Sequence, residues 1–242
     1  MVNILEVKEV SKYFGGLKAL NNVSCEVKER ELVGLIGPNG AGKTTLFNII
    51  CGDYRPTSGI IRFKGEDITR LKPYEICKKG ISRTYQLVKP FLDLTVFQNV
   101  MYGVLFGREK LNKRVAKEEV EKVLEFTGLL EKRDRLVRNL NVFDRKKVEL
   151  ARALATAPTL LLLDEPLAGL NPKDGEEFMH MVEAIRTNNV TIFMIEHVLK
   201  TLMKHADRII VLHHGEKIAE GSPVEVANDR RVIEAYIGVA VC

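Results

Sequence analysis

"GPNGAGKTT", residues 37–45, is the stretch on which the fold turns. It fits the pattern G-x-x-x-x-G-K-[ST], and its surroundings fit as well. Before it runs "ELVGLIG", a continuous apolar run ending in glycine, as a strand buried on both faces would be. After it, "KTTLFNIICG" carries apolar residues at helical spacing and stops at Gly52. Strand, glycine-rich turn and helix in that order make a phosphate-binding loop. Gly37, Gly40 and Gly42 let backbone N–H groups close around a phosphate with no Cβ in the way. Pro38, Asn39 and Ala41 complete the loop, and the helix that starts at Lys43, Thr44 and Thr45 adds partial positive charge at its N-terminus. Lys43 is then expected at the β- and γ-phosphates of a nucleotide, with the Thr44 hydroxyl as a ligand to Mg²⁺.

A second motif, "LLLLDEP", supplies the complementary chemistry. Asp164, at the end of an apolar run, is expected in the Mg²⁺ shell. Glu165 beside it is the candidate general base for an attacking water.

Outward from these two motifs, short apolar runs alternate with helical patterns, the rhythm of a layered α/β fold. "NILEVKEV" and "VSCEVKE" alternate like half-buried strands, while "VTIFMIE" and "DRIIVLH" read as buried ones. "PKDGEEFMHMVEAIRTN" opens a helix with Pro172 in its first turn, where proline is tolerated. From about Leu87 to Ala155 there is no convincing strand, and "KEEVEKVLEFTGLL" and "RKKVELARALAT" are helical by spacing. The tail "SPVEVANDRRVIEAYIG" reads as two short helices. The expected fold is α/β: a P-loop NTPase core over residues 1–86 and 156–242, with an antiparallel β subdomain and an inserted α-helical lobe over residues 87–155, all in one domain.

Composition agrees with this and narrows little else. Of 242 residues, 45% are hydrophobic and 29% charged, as in a globular protein with a substantial core. No window approaches the apolar length of a membrane span, and "MVNILEVKEV" does not resemble a signal peptide. Cys25, Cys51, Cys77 and Cys242 form no C-x-x-C pair and are expected to be incidental thiols in a reducing cytoplasm. The net charge of +5 is compatible with a membrane surface, phosphates or nucleic acid and selects none of them.

With these motifs in place, the chain resembles the nucleotide-binding subunits of ABC transporters over essentially its whole length. The resemblance implies roles for further residues. Gln86 of "YQ" would touch Mg²⁺ or the water and hinge the helical lobe, and His197 of "IEHV" would stand at the γ-phosphate. Phe14, just before "GG", would stack on adenine, with adjacent Tyr13 as the other aromatic available. Asn171 of "AGLNP" falls in the loop that contacts a partner subunit in this family. "ISRTYQ", "DEPLAGLNP" and "VIEAYIG" are similar to the ATP-binding subunits of branched-chain amino acid importers. By that resemblance ATP and Mg²⁺ are the cofactors. The partners are a second ATPase subunit, integral membrane permease subunits and, indirectly, a substrate-binding protein, with no nucleic acid. The place of work is the cytoplasmic face of the membrane. Two other readings stay open: a soluble ABC ATPase acting on a protein, cluster or nucleic acid, and a low-turnover regulatory subunit. The apolar residues of "LVKPFLDLTVFQNV" either line a groove for a membrane partner or pack the lobe.

One segment departs from the family. Its signature L-S-G-G-Q acts on the nucleotide of the other subunit. Here, in "NLNVFDRKKVELARAL", Leu140 aligns with the leucine, while Asn141, Val142, Phe143 and Asp144 replace the rest. Asn141 can still donate a hydrogen bond, and Asp144 is a mild change. Val142 and Phe143 need space where a phosphate belongs, and a β-branched residue resists unusual backbone angles. Either they hinder the partner's site, or both turn into the lobe's core and leave their N–H groups available. The first alternative makes the chain one half of a heterodimer that hydrolyses its own ATP and completes its partner's site poorly.

Overall fold

Alternating apolar and polar residues write the first two strands, β1 (Asn3–Phe14) and β2 (Leu17–Lys28), which pair antiparallel. Both run longer than their clean alternation, because the register shifts between Val7 and Val10 and again before Lys12. Glu9 and Asn22 take positive φ, 52° and 51°, beside these shifts. Such irregularities re-aim side chains without ending the strand. The five residues of β3 (Leu32–Ile36) are all buried, and the chain turns through residues 37–42 into α1 (Lys43–Ile50). Strands β4 (Ser58–Phe63) and β5 (Glu66–Asp67) complete a sheet in the order β2-β1-β4-β5.

A computed structural model describes residues 2–85, 90–107, 111–197 and 199–237. Gln86, Val198 and Cys242 lie outside the described residues. The chain divides into two compact units, residues 1–73 with 191–242, and residues 74–190.

The second unit begins with α2 (Pro73–Lys79) and β6 (Ile81–Arg83). Three helices follow, α3 (Val96–Phe106), α4 (Lys113–Phe126) and α5 (Val142–Leu154). They share a core of their own that includes Val96, Val100, Val120, Leu124 and Val148. Thr95 and Gln98 form a capping box at the start of α3, and Asn112 caps α4, so both starts are written in local sequence. β7 (Leu160–Asp164) pairs parallel with β6, Arg83 opposite Leu162. α6 (Pro172–Thr187) starts at Pro172 with Asn171 as its cap.

The chain then returns to the first unit with β8 (Thr191–Ile195), α7 (Leu199–His205), β9 (Arg208–His213) and β10 (Glu216–Gly221). β3 lies parallel to both β8 and β9, and β9 pairs antiparallel with β10. Gly34 in β3 permits the approach of α7, since a Cβ there would meet Leu202 Cδ1 at 2.8 Å. The tail forms α8 (Pro223–Asn228) and α9 (Arg230–Ile237). Among the described residues no helix is long and apolar enough to cross a membrane. Cys25 and Cys51 are buried free thiols and Cys77 is half-buried; burial pushes the Cys25 thiol up to about 12.

Candidate active site

The loop after β3 takes its shape from three glycines at positive φ: Gly37 (150°), Gly40 (79°) and Gly42 (100°). A Cβ at Gly37 would meet Leu212 O at 2.1 Å, and one at Gly42 would meet Ala19 O at 2.6 Å. At Gly40 a Cβ would meet nothing within 4 Å. Two of the three glycines are therefore demanded by close packing against the chain's own backbone, and Gly40 by its dihedral angle alone. Ala41 joins the same packing: its N–H donates to Pro38 O at 3.1 Å, and its carbonyl accepts from Gly215 N–H at 3.1 Å.

Lys43, 5% exposed, donates from Nζ to Gly37 O at 2.7 Å and to Pro38 O at 3.0 Å. A buried ammonium needs such acceptors, and here they come from the loop that its own helix follows. Asn39, Gly40 and Thr44 are exposed, while Pro38 and Thr45 are half-buried. Phe14, at the end of β1, is 42% exposed and meets Tyr54 edge-on at 5.4 Å, with Lys12 Nζ 4.9 Å from its ring centre. Tyr13 is exposed too, with the Lys18 ammonium near its ring. His197 is exposed just beyond β8, and its N–H donates to the carboxylate of buried Glu196 at 3.2 Å.

In the second unit, Asp164 ends β7 and is almost fully buried. Arg83 Nη2 lies 2.5 Å from Asp164 Oδ2, an ion pair in which both side chains are nearly inaccessible. Asp164 N–H donates to Thr84 Oγ1 at 3.4 Å. Glu165 follows at φ 49°, a left-handed conformation that costs a non-glycine residue roughly 1–2 kcal/mol. Strain of that kind gathers at functional positions. Tyr85 N–H is accepted by Glu149 Oε1 at 2.9 Å, which anchors the residue before Gln86 to α5. Burial pushes the Glu149 carboxyl up, against the Tyr85 hydrogen bond, and pushes the nearby Arg152 guanidinium down.

The altered signature segment is the capped start of a helix. Asn141 is the N-cap of α5, and its Oδ1 accepts from Asp144 N–H at 2.7 Å. Val142 and Phe143 are the first two helical residues, so the backbone needs no unusual angles there, contrary to expectation. Val142 is 56% exposed and does not enter the lobe's core; Phe143 is half-buried beneath the Lys147 ammonium, 4.6 Å from its ring centre. Asp144 is buried between Lys132 Nζ at 2.5 Å and Lys147 Nζ at 3.6 Å. Asn171 likewise caps α6, accepting from Asp174 N–H at 2.9 Å.

The same unit carries a groove of about 560 Å³ lined by Tyr85, Phe91, Tyr102, Phe106 and Arg152 among others. Phe91 packs against Tyr102 at 5.2 Å and Tyr102 stacks on Phe106 at 6.0 Å, yet all three remain exposed.

One residue of this unit, Arg83, is not singled out by sequence reasoning. The signal available was a charged residue inside an apolar pattern, which buried structure tolerates only when paired.

Comparison with known proteins shows the family. The ABC transporter family model matches residues 20–168, and that of the branched-chain amino acid ATP-binding cassette transporter matches residues 216–241. The high-affinity branched-chain amino acid transport ATP-binding protein LivG of Salmonella typhimurium is 41% identical over 251 aligned positions, covering 98% of each chain. Among solved structures, the ADP conformation of MJ1267, an ATP-binding cassette of an ABC transporter, superposes with a TM-score of 0.91. It is 33% identical and covers 99% of this chain and 100% of its own. The dimeric bacterial ABC transporter cassette MJ0796 gives a TM-score of 0.81 at 27% identity, over 90% of this chain and 98% of its own.

Proposed function

Because the chain belongs to the ABC transporter family, we propose that it is the ATP-hydrolysing subunit of an importer for branched-chain or closely related amino acids. The observation that carries this is the buried Lys43, held by the carbonyls of a loop whose three glycines all sit at positive φ. The match of residues 216–241 favours a transporter over a soluble ATPase acting on a protein, cluster or nucleic acid.

The division of labour follows from the chemistry of each group. The N–H groups of residues 39, 40 and 42–45 and the Lys43 ammonium bind the β- and γ-phosphates, while the Ala41 N–H stays on Pro38 O. Phe14 offers an exposed ring to the adenine. Glu165 takes the proton of the water that attacks the γ-phosphorus; the bond from that phosphorus to the β–γ bridging oxygen breaks, ADP keeps the electron pair, and phosphate is released. His197 and Gln86 orient the γ-phosphate and the water.

Among the described residues no cluster of three or more His, Cys, Asp or Glu could hold a metal. On the proposed reading the protein donors would be few, the buried Asp164 carboxylate and the exposed Thr44 hydroxyl. That suits Mg²⁺, which keeps its waters and takes phosphate oxygens. Thr44 and Asp164, with Gln86, would hold it, and it would neutralise charge on the transferring phosphoryl group.

The exposed aromatic groove of Tyr85, Phe91, Tyr102 and Phe106 is the surface we assign to a membrane permease subunit, and on this reading the chain works at the cytoplasmic face of the membrane. A substrate-binding protein would be reached only through that permease. Val142, standing exposed on the first turn of α5, obstructs the approach of a partner's phosphate. The chain therefore works best beside a different ATPase subunit, hydrolysing its own nucleotide under that partner's signature.

Transport tests the whole reading. Vesicles carrying the assembled transporter should accumulate a branched-chain amino acid when supplied with ATP, and not with ADP. Accumulation that is indifferent to ATP would refute it.

A further inference from the structure

The Arg83–Asp164 pair sits where the metal chemistry is assigned, and neither partner has water to screen it. Arg83 ends β6 with 4% of its side chain exposed, and Asp164 ends β7 with 1%. The guanidinium carbon of Arg83 also lies 4.8 Å from the centre of the Tyr85 ring. Tyr85 is tied in turn to α5 by Glu149, and Thr84 to β7 by its N–H to Leu162 O at 2.9 Å. One side chain thus touches both the carboxylate assigned to the metal and the aromatic ring that precedes Gln86. A guanidinium held this close satisfies a carboxylate that would be costly to leave buried and uncompensated. It also repels any second cation that approaches the same oxygen atoms.

We propose that Arg83 is a positioning residue that serves Asp164 as an internal counter-cation, yields that carboxylate when Mg²⁺ and nucleotide bind, and so transmits metal occupancy to Tyr85. The proposal rests on the assignment of Asp164 as the metal ligand. Two consequences separate it from a purely structural ion pair. The concentration of Mg²⁺ required for tight nucleotide binding is set partly by Arg83. In addition, the ring of Tyr85 changes its surroundings when Mg²⁺ binds, because its cationic neighbour moves.

The test is the melting temperature of the full chain at fixed ADP, followed as Mg²⁺ is titrated, for wild type, Arg83→Gln and Asp164→Asn. Arg83→Gln should melt lower without metal, yet reach half of its Mg²⁺-dependent rise at roughly threefold lower Mg²⁺ or less, because one opposing charge is gone. A lower melting temperature with an unchanged Mg²⁺ midpoint would overturn the proposal and leave Arg83 as scaffolding. Asp164→Asn should raise the midpoint or abolish the rise. If it does neither, the metal assignment itself fails, which is distinguishable from failure at Arg83 alone. Should Arg83→Gln not fold, Tyr85→Trp provides a second measurement, since the chain has no tryptophan and the new indole would be its only one. Its emission should change as Mg²⁺ is added in the presence of ADP and stay constant with ADP alone. Emission that ignores Mg²⁺ would also overturn the proposal.

Discussion

Asn141 Oδ1 accepts the Asp144 N–H at 2.7 Å, so the segment that departs most from the family signature is a properly capped helix start. Its oddity lies in the side chains that follow the cap, Val142 exposed and Phe143 under Lys147. Asn141→Ala should destabilise the protein by about 1 kcal/mol, and Asn141→Ser by much less, since serine caps comparably. Thermal or urea unfolding of the two variants checks this; equal losses would show that the cap contributes nothing.

The same geometry makes a functional prediction. On the proposed reading, the chain purified alone would pair only with itself, and each site would be covered by Val142 and Phe143. Each phosphate donor lost in this way costs roughly 2.7–4 kcal/mol in the transition state, and hydrolysis alone should be very slow. The triple change Asn141→Ser, Val142→Gly and Phe143→Gly should raise it. Steady-state ATPase at equal, high protein concentration is the measurement. Brisk wild-type turnover that the triple change leaves unaltered would make both side chains harmless.

Lys43 holds the loop and, on the proposed reading, the nucleotide. Lys43→Ala removes both the charge and the two bonds to Gly37 O and Pro38 O. Affinity for Mg-ATP should fall at least about tenfold, or 1.4 kcal/mol. Unchanged affinity by calorimetry would sink the loop assignment.

This loop was the most legible part of the sequence, because its residue types, spacing and flanking patterns are all local. Helix starts at Asn171-Pro172 and Ser222-Pro223 were legible for the same reason: the cap and the first turn are adjacent in the chain. The alternation in the sequence covers only part of strands β1 and β2, since the shifts near Val10 break the pattern on which strand recognition depends. The Arg83–Asp164 pair was not legible at all. It arises from the parallel register of β6 on β7, which brings together residues 81 apart in sequence. At Val142 the sequence suggested strained loop geometry, whereas a single side-chain cap makes the backbone ordinary.

Glu149 gives a pH dependence with a definite sign. Burial raises its folded-state pKa above the ordinary carboxylate value. The folded state therefore binds the proton more readily than the unfolded one. The stability from this group is present at pH below the unfolded value and is lost as pH rises through the folded pKa. Glu149→Gln can still accept from Tyr85 N–H without carrying charge. Its stability relative to wild type should increase as pH rises from about 4.5 towards neutrality, the window opened by the raised pKa. Melting temperatures of both proteins across that range decide it, and a constant difference would contradict the assignment.

The central claim is hydrolysis with Glu165 as the base, and it is tested most directly by Glu165→Gln in the complex assembled with the permease and ATPase subunits proposed for it. Phosphate release from this chain's site is followed beside ATP binding, with the partner's own site disabled. The substitution preserves size and hydrogen bonding while removing the proton acceptor. Turnover should fall at least about 10²-fold, the scale for a positioned base, with ATP binding retained. Turnover that survives the substitution would contradict the account and pass the role of base to His197.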